Sequence, residues 1–441
     1  MPLLATPFTA DGDFPDQTEV LIIGGGIIGV SAALTLIERG IPVTLCEKGE
    51  IAGEQSSRNW GWCRQQGRDP RELPLIVESL RRWSEMNERV GEDTGFRRCG
   101  TLYLAENEDD LEKKALWLDF AAPFPIDAQV ISAAKTKTHL NSSIRDWAGA
   151  LYCASDGRAE PFSAVPAMAR AAQRQGAKIF TNTAVHSLIT SSGSVSGAIT
   201  EKGEIKSRAV LLAAGAWSRY FCADEQLTLP QLRTRSSVLR TGRLDNGPNA
   251  CISAPRYSIR KRADGGYTVA AGAKSRIDFD ITPDAFRFLP LFSKLAWMVR
   301  SHLHLRLGER FKEEWRDASK NPGERYATNR MLDPAPINSS LDSAFQALQD
   351  DFPGFQSVPI EQRWAGMIDV TPDAVPVISP VPSRPGLVIA TGFSGHGFGI
   401  GPAAGELAAD LIANSEPMID PSPFRFSRFS DGSTIEPIVG I

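Results

Sequence analysis

Three glycines and an acidic residue near the start of the chain have the spacing of a dinucleotide-binding turn. Gly24, Gly26 and Gly29 directly follow an apolar run of strand type. Glu47 stands at the end of the next such run, eighteen residues after Gly29. Gly24 permits the tight turn, Gly26 lets backbone approach a pyrophosphate, and Gly29 lets a helix pack on a strand. In such a turn the helix N-terminus can bind phosphate, and Glu47 can accept hydrogen bonds from a ribose diol. The pattern therefore predicts dinucleotide binding rather than an ordinary glycine-rich turn.

A second glycine cluster, residues 392–401, lies between a predicted strand at 386–391 and a helix predicted to run from Pro402 to about Asn414. Proline after a glycine-rich loop predicts a helix N-terminus that can face an anion or a carbonyl. A third apolar run, residues 209–215, is predicted to lie beneath the dinucleotide in the same parallel sheet. The second glycine cluster and its helix suit a large flavin held at both ends, so FAD is the predicted cofactor. A flavin reduced by NADPH usually requires a second GxGxxG motif, which the sequence lacks, so the organic substrate is the predicted reductant.

The whole chain has the length and composition of a two-domain globular protein. Of its 441 residues, 42% are hydrophobic and 23% charged, which excludes disordered and fibrous classes. The net charge of −4, without a basic block, argues against nucleic acid as a partner. No sequence window is long and apolar enough for a membrane-spanning helix. Widely spaced cysteines and the lack of a leader favour a reduced, cytoplasmic protein, and no metal site is predicted.

Motifs along nearly the whole chain resemble the glycine oxidase/D-amino-acid oxidase (DAO) superfamily of FAD enzymes. They are the turn at 24–29, Glu47-Lys48, Ala213-Ala-Gly215 and Thr391-Gly-Phe-Ser-Gly-His-Gly397. Within it the bacterial L-amino-acid deaminases are most similar, through Ile51-Ala-Gly-Glu-Gln-Ser-Ser-Arg58, Trp217-Ser-Arg219 and Pro372-Asp373. The sequence departs from the deaminases at residues 59–68 and in lacking their N-terminal membrane anchor.

The resemblance implies an α/β plus α+β architecture of the glutathione-reductase/DAO type. A Rossmann-like FAD-binding domain would be interleaved with an antiparallel-sheet substrate domain that covers the flavin. The FAD-binding domain would comprise residues 1–95, 154–225 and 370–441. The substrate domain would comprise residues 96–153 and 226–369.

The resemblance also implies which residues contact FAD. Glu47 and Lys48 would contact the adenosine ribose, and the backbone of Val185 would hold adenine. Residues 56–58 would lie at the pyrophosphate, and residues 395–398 beneath the pyrimidine end of the flavin. The complete predicted FAD-binding set is Gly24, Gly26, Ile27, Ile28, Gly29, Glu47, Lys48, Gly53, Ser56, Ser57, Arg58, Asn59, Trp60, Gly61, Val185, Ala214, Gly215, Trp217, Gly366, Gly392, Gly395, His396, Gly397 and Phe398.

On the substrate side, orientation of a carboxylate matters more than acid–base groups. Arginine binds both carboxylate oxygens. Arg260, in a hairpin predicted at residues 256–269, corresponds to the carboxylate-binding arginine of the deaminases; the alternative is a solvated strand face. Arg64 and Gln66 are candidate polar contacts, and Trp60 is a candidate wall of the flavin or substrate. The alternative is that Trp60 packs at the domain interface and that the arginine lies on the surface.

Two further side chains, His396 and Lys274, complete the candidate catalytic set, and Arg68 bears on the charge of the substrate. His396 is a candidate base, although between two glycines it equally suits ring positioning or a backbone hydrogen bond. Lys274 is a candidate for assisting oxygen above the flavin. Arg68, together with Arg64, indicates a second carboxylate on the substrate.

The predicted activity is FAD-dependent oxidation of the CH–NH bond of an amino acid by hydride transfer to flavin N5. The imine then hydrolyses to a 2-oxo acid plus ammonia or an amine. One alternative is an oxidase of an N-substituted glycine or iminodiacetate-like secondary amine that releases glyoxylate. The others are an NAD-dependent dehydrogenase and an FAD-binding subunit of a hetero-oligomeric dehydrogenase.

The acceptor is predicted to be oxygen or a component of the respiratory chain. A helical element with apolar spacing is predicted near residues 284–313. Its first interpretation is packing on the substrate domain or across a dimer. The alternative is a peripheral contact with the inner membrane, because the related deaminases deliver electrons to the respiratory chain.

Overall fold

The computed structural model describes residues 5–438, so the predicted domain ends at 1–4 and 439–441 lie outside the described residues. In chain order the strands are β1 (Gln17–Ile23), β2 (Val43–Cys46), β3 (Trp62–Cys63), β4 (Arg97–Arg98), β5 (Thr101–Ala105), β6 (Ala128–Ser132), β7 (Gly149–Cys153), β8 (Gly157–Arg158), β9 (Lys178–Phe180), β10 (Val185–Ser191), β11 (Ser194–Thr200), β12 (Gly203–Leu212), β13 (Leu232–Thr241), β14 (Cys251–Ser253), β15 (Tyr257–Lys261), β16 (Tyr267–Ala271), β17 (Ile277–Asp280), β18 (Leu303–Arg306), β19 (Ile360–Val370), β20 (Val377–Pro380) and β21 (Leu387–Thr391). The α-helices are α1 (Ile27–Glu38), α2 (Gln55–Arg58), α3 (Leu73–Val90), α4 (Glu108–Ala115), α5 (Trp117–Ala121), α6 (Ala133–Leu140), α7 (Pro161–Arg174), α8 (Ser218–Asp224), α9 (Pro283–Arg287), α10 (Leu289–Met298), α11 (Glu309–Ser319), α12 (Pro322–Thr328), α13 (Asn338–Asp351) and α14 (Gly397–Ala413).

The first large sheet has the strand order β10–β11–β12–β1–β2–β9, with β21 beside β12 and β20 beside β21. β1 pairs in parallel with both β2 and β12, and β12 pairs in parallel with β21. The four residues of β1 from Val20 to Ile23 are all buried, as expected for a parallel strand covered on both faces. This sheet is the Rossmann-like half of the DAO-type fold, and the predicted fold class is confirmed.

Helices α1 and α14 pack closely against each other beside this sheet. A Cβ on Gly405 of α14 would lie 2.8 Å from the backbone nitrogen of Ala32 and from the Ile28 carbonyl oxygen. That distance is shorter than any ordinary carbon contact, so only glycine permits this helix–helix approach. Because β1 and β21 each pair in parallel with β12, the N-termini of both helices lie at the same edge of the sheet, at the loops that follow these two strands.

The C-terminal helix begins earlier than the sequence predicts. Pro402 is predicted to start it, but α14 begins at Gly397 and contains Pro402, so that prediction is wrong. Proline lacks an N–H group and interrupts helical hydrogen bonding. Ser79 Oγ and Trp83 Nε1 on α3 donate to the Gly399 carbonyl at 2.8 and 2.9 Å, and these side chains stabilise the interrupted turn.

The second large sheet has the order β19–β13–β16–β15–β14–β5–β7–β6. The predicted hairpin is confirmed as the antiparallel pair β15–β16. Helix α13 covers one face, where a separate apolar core forms. A small third sheet has the order β3–β8–β4 and joins three short segments that lie outside the two large sheets. The division into domains at the predicted boundaries stays a prediction.

Residues 277–328 form an inserted segment beside the end of β13. In the range 284–313, where a helical element is predicted, the structure has α9, α10 and the start of α11, and β18, which pairs in parallel with β17, lies between α10 and α11. Ion pairs of the buried Arg219 hold the insertion against the rest of the protein. Its guanidinium contacts Asp284 and lies 2.5 Å from Glu314. Among the described residues, no helix combines the length and apolar character needed to cross a membrane.

Candidate active site

A cavity of about 610 Å³ lies between the two large sheets and is lined by residues from both. Its size falls in the range of small-molecule sites, which are typically 300–1,000 Å³. The loops after β1 and β21 line one part of it. Side chains from β5, β14 and β15 line another part. The cavity therefore connects the predicted cofactor region with the predicted substrate region.

The glycine turn after β1 has the backbone geometry that the sequence predicts. Gly24 has φ +113°, a conformation that favours glycine, and a Cβ there would overlap the Ala213 carbonyl. A Cβ on Gly29 would overlap the Gly24 carbonyl. At Gly26, by contrast, a Cβ would meet only Ser56 Oγ, at 3.2 Å. Gly26 therefore leaves an open cradle at the N-terminus of α1, since this N-cap residue has no side chain of its own to cap the helix.

Glu47 lies at the end of β2 and lines the cavity beside this turn. Its carboxylate accepts hydrogen bonds from the amides of Gly25 and Gly49, both at 2.7 Å. Burial raises the pKa of Glu47. The acid that the sequence assigns to a ribose also stabilises the conformation of the glycine turn.

The segment from Gly53 to Gly61 forms the next part of the cavity wall. Ser56 Oγ accepts a hydrogen bond from the Ile27 amide at 2.9 Å and so joins this segment to α1. Asn59 Oδ1 accepts from the Gly61 amide at 2.7 Å. Arg58 lines the cavity, but its guanidinium donates to the Ala365 carbonyl at 2.9 Å and to Asp333. These two contacts hold the Arg58 side chain in place, so it supports the cavity wall.

Most of the predicted FAD set lines this cavity. Lys48 does so while donating to the carbonyls of Asn329 and Arg330 at 2.8 and 2.6 Å, with its ammonium 3.9 Å from the Trp217 ring centroid. Four predicted members are absent from the lining residues, namely Gly29, Ser57, Gly61 and Gly392. Three of these are glycines that lie behind the wall and allow close backbone packing there.

The N-terminus of α14 reaches the cavity through His396, and a cluster of buried charges lies behind it. His396 Nδ1 lies 3.5 Å from Glu72, and Arg68 lies 3.7 Å from the same carboxylate. Burial, together with the charge of Arg68, lowers the pKa of His396, so its imidazole is neutral at pH 7. A neutral imidazole held beside the helix N-terminus agrees with a positioning role.

A row of polar side chains crosses three neighbouring strands on the substrate side. Tyr103 on β5 is in register with Ser253 on β14, which is in register with Ser258 on β15. All three line the cavity. The sequence analysis missed this row, because the parallel pairing of β5 with β14 joins residues 150 positions apart, and no local motif marks it.

Arg64 lies over this row, with its guanidinium carbon 5.7 Å from the Tyr103 ring centroid. It also donates to the Gln66 carbonyl. Arg68 lines the cavity next to it and donates to the carbonyls of Arg64 and His396 at 3.2 and 3.3 Å. Among the described residues Arg68 Nη1 makes no hydrogen bond, and it lies 3.7 Å from the buried carboxylate of Glu72. The two arginines supply the positive charge of this part of the wall.

Arg260, the predicted carboxylate-binding residue, does not line the cavity. Its side chain is 1% exposed, and its guanidinium donates to Glu160 at 2.7 and 3.3 Å and to the Trp60 carbonyl at 2.5 Å. Glu160 also accepts a hydrogen bond from the Ala263 amide. The guanidinium is thus occupied by Glu160, the Trp60 carbonyl and, on the neighbouring strand β16, Thr268 at 3.3 Å.

We expect Glu160→Ala to destabilise the protein by about 3–5 kcal/mol, because it leaves the charge of Arg260 buried without a partner. The free energy of unfolding from a denaturant titration measures this. Asp93→Ala, which removes the exposed ion pair with Arg97 at 2.8 Å, is the matched control and should cost less than about 1 kcal/mol. Equal losses in the two variants would contradict a structural role for the Arg260–Glu160 pair.

Two other predicted catalytic side chains also lie away from the cavity. Lys274 is 53% exposed and pairs with Glu106 at 2.9 Å, although its neighbours Gly272 and Ala273 line the wall. Gln66 is buried and donates to the Leu151 carbonyl at 3.0 Å. Trp60, Arg64 and His396 are the members of the predicted catalytic set that the structure brings together at the cavity.

Comparison with known proteins agrees with the cofactor half of this site. Residues 19–411 match the DAO family, described as FAD dependent oxidoreductase. The chain is 24% identical to 4-methylaminobutanoate oxidase (formaldehyde-forming) of Paenarthrobacter nicotinovorans, an alignment that covers 97% of this chain and 48% of that protein. The chain thus spans about half the length of that relative. It is also 24% identical to glycine oxidase of Pseudomonas aeruginosa, over 92% of this chain and 97% of that protein.

Among solved structures, the fold is similar to that of L-amino acid deaminase from Proteus myxofaciens in complex with anthranilate. The TM-score is 0.92, at 32% sequence identity, and the match covers 97% of each chain. This likeness extends over both large sheets and the cavity between them.

Proposed function

The chain belongs to the DAO family of FAD-dependent oxidoreductases, and from that premise we propose that it oxidises the CH–NH bond of an amino acid. The resulting imine would hydrolyse to a 2-oxo acid and ammonia or an amine. FAD, when bound, supplies the acceptor for the hydride. The NAD-dependent alternative is set aside, because the family uses FAD.

One observation carries this proposal: the glycine turn, the N-terminus of α14 and Arg64 all line one cavity. The turn fits FAD because Gly26 leaves a cradle that any Cβ would fill. A substrate bound beside Arg64 would therefore share the cavity with the cofactor. The contribution of the protein is to orient the substrate, exclude water and hold its charge.

We propose that Arg64 replaces Arg260 as the residue that binds the substrate carboxylate. Arg64 lines the cavity, whereas the guanidinium of Arg260 is already paired with Glu160. The hydroxyl groups of Tyr103, Ser253 and Ser258 supply neutral hydrogen-bond partners next to it. Such a wall suits a small zwitterionic substrate, in which one carboxylate needs a cation and the amine needs acceptors.

Arg68 supports a second candidate, a secondary amine with two carboxylates. Its Nη1 makes no hydrogen bond among the described residues, although it lies 3.7 Å from the Glu72 carboxylate, and the side chain lines the cavity beside Arg64. An iminodiacetate-like compound would place one carboxylate on each arginine. Its oxidation and hydrolysis would release glyoxylate and an amine.

The two candidates are distinguished by adding substrates to the purified yellow protein without oxygen. We expect the flavin absorbance near 450 nm to fall with a member of one class: L- or D-amino acids, or N-substituted glycines and iminodiacetate. Product analysis then separates ammonia with a 2-oxo acid from an amine with glyoxylate. A protein whose flavin is bleached by none of these compounds would overturn the amine proposal and favour a non-catalytic FAD-binding subunit.

The inserted segment supports a further proposal, that the protein docks on an anionic membrane surface that holds its electron acceptor. Large apolar side chains there are exposed to solvent: Phe286, Leu289, Trp297, Met298, Leu305, Leu307 and Trp315. Basic residues are interspersed with them, and the Arg300 guanidinium lies 3.9 Å from the Trp297 ring centroid. Mixed aromatic and basic surfaces of this kind bind the interface of anionic bilayers.

We expect the full protein to co-sediment with vesicles that contain anionic phosphatidylglycerol, and Trp297→Glu/Leu307→Glu to weaken this binding at least about tenfold. Each side chain gains about 1.5–3 kcal/mol when it is fully buried in an apolar phase. The control is Leu116→Glu/Ile144→Glu, because these apolar residues are 63% and 69% exposed but lie outside the insertion. Equal binding by both double variants would rule out the insertion as the docking site.

A further inference from the structure

Two cysteines meet on the substrate side of the molecule. Cys99 precedes β5, and Cys251 is the first residue of β14. Their Sγ atoms are 3.9 Å apart. The backbone is fixed here, because the Cys251 amide donates to the Gly100 carbonyl at 2.9 Å and the Cys99 amide to the Asp156 carbonyl at 3.1 Å. The parallel pairing of β14 with β5 begins at Cys251, which is in register with Thr101.

The surroundings of this pair make one thiol reactive and keep the other protected. Cys99 is partly exposed, whereas Cys251 is fully buried. The hydrogen bond from Cys251 and the nearby charge of Arg158 lower the pKa of the Cys99 thiol to about 7. Burial raises the thiol pKa at the other cysteines with a shifted value, namely Cys46, Cys63, Cys153, Cys222 and Cys251. Cys99 is therefore the thiol that an oxidant reaches first.

We propose that Cys99 and Cys251 form a reversible intrachain disulfide when the protein meets hydrogen peroxide. The Cys99 thiolate attacks one peroxide oxygen, the O–O bond breaks, and the departing hydroxide is protonated to water. Cys99 is then a sulfenic acid. The Cys251 sulfur attacks the Cys99 sulfur, the S–O bond breaks, and the hydroxyl leaves as water with the Cys251 proton. Two thiols are oxidised, and one peroxide is reduced to two waters.

The position of the pair connects it with the cavity. Two residues beyond Cys251 on β14 lies Ser253, and its partner on β5 is Tyr103. Both side chains line the cavity. A disulfide would join the beginnings of these two strands covalently and fix their relative position. It would also close a loop of about 150 residues, for which chain entropy predicts a stabilising effect.

The test is thiol counting and peptide mapping on the holoprotein after treatment with hydrogen peroxide. Under denaturing conditions the untreated chain should titrate six thiols, the number of its cysteines. After treatment the count should fall to four, and dithiothreitol should restore six. Tryptic digestion without reductant should yield one cross-linked species that joins the peptides of Cys99 and Cys251.

Two variants provide the controls. Cys99→Ser should keep five thiols before and after peroxide, whereas Cys153→Ser should fall from five to three. Cross-linked peptides with any other pairing, or a thiol loss that dithiothreitol does not reverse, would overturn the proposal. The mapping of the unaltered chain decides the matter even if either variant folds poorly. Since substrate turnover is not measured, the outcome is independent of the proposed activity.

Discussion

Replacement of Arg64 with alanine is expected to raise the KM for the substrate by about tenfold to a hundredfold. A charge-assisted hydrogen bond contributes about 1.5–3 kcal/mol, and 1.4 kcal/mol corresponds to a factor of ten. Arg64 lines the cavity over the ring of Tyr103, and among the residues that the structure describes its guanidinium donates to a single backbone carbonyl, that of Gln66. The measurement is initial-rate kinetics with the compound that bleaches the flavin of the unaltered protein.

The substrate itself offers a sharper comparison. The amide of the same amino acid lacks the carboxylate charge, so the unaltered protein should discriminate strongly between acid and amide. The Arg64→Ala protein should lose most of this discrimination, because it lacks the guanidinium that interacts with the carboxylate charge. Arg81→Ala serves as the control, since Arg81 is 54% exposed on α3 and pairs with the neighbouring Glu78 and Glu85. An Arg64→Ala protein that folds, holds FAD and keeps its preference for the acid would exclude Arg64 as the carboxylate site.

Replacement of Gly26 with valine is expected to weaken FAD binding by about tenfold or more while leaving the fold intact. A side chain here points into the cradle at the N-terminus of α1, and overpacking a fitted site costs about 1–3 kcal/mol. Within the protein the first new atom would meet only Ser56 Oγ, at 3.2 Å. Fluorescence titration of the apoprotein with FAD measures the dissociation constant.

The matched control is Gly12→Val, because a Cβ at Gly12 has no atom within 4 Å. It should bind FAD like the unaltered protein. The thermal unfolding temperature of the two apoproteins separates a blocked cradle from a damaged fold. If Gly26→Val binds FAD with unchanged affinity, the pyrophosphate does not lie at this turn.

The cofactor half of the site could be predicted from the sequence because its signals are local. Gly24, Gly26 and Gly29 lie within six residues, and each has its own steric requirement. The substrate half has no such signal. Tyr103, Ser253 and Ser258 come together only through strand pairing, and the partner of Arg260 is Glu160, which lies 100 residues earlier.

Helix starts were also harder to predict than strands. Pro402 favours a helix beginning there on local grounds. The side chains of Ser79 and Trp83, more than 300 residues away in sequence, donate to the Gly399 carbonyl close to this proline and stabilise the turn there. Contacts of this kind have no local sequence signal, so the sequence could not place the start of α14 at Gly397.

The strand order of the first sheet constrains how the protein is made on the ribosome. β1 pairs with β12, and β12 pairs with β21, so the sheet can form only when residues 17 to 391 are all present. Helix α14, which brings His396 to the cavity, follows later still. A nascent chain can form the glycine turn early, but it cannot complete the cofactor site until residues beyond 413 have left the exit tunnel. The complete FAD site can therefore form only after this region has been synthesised, and until then the apolar strands of the incomplete sheet lack their partners.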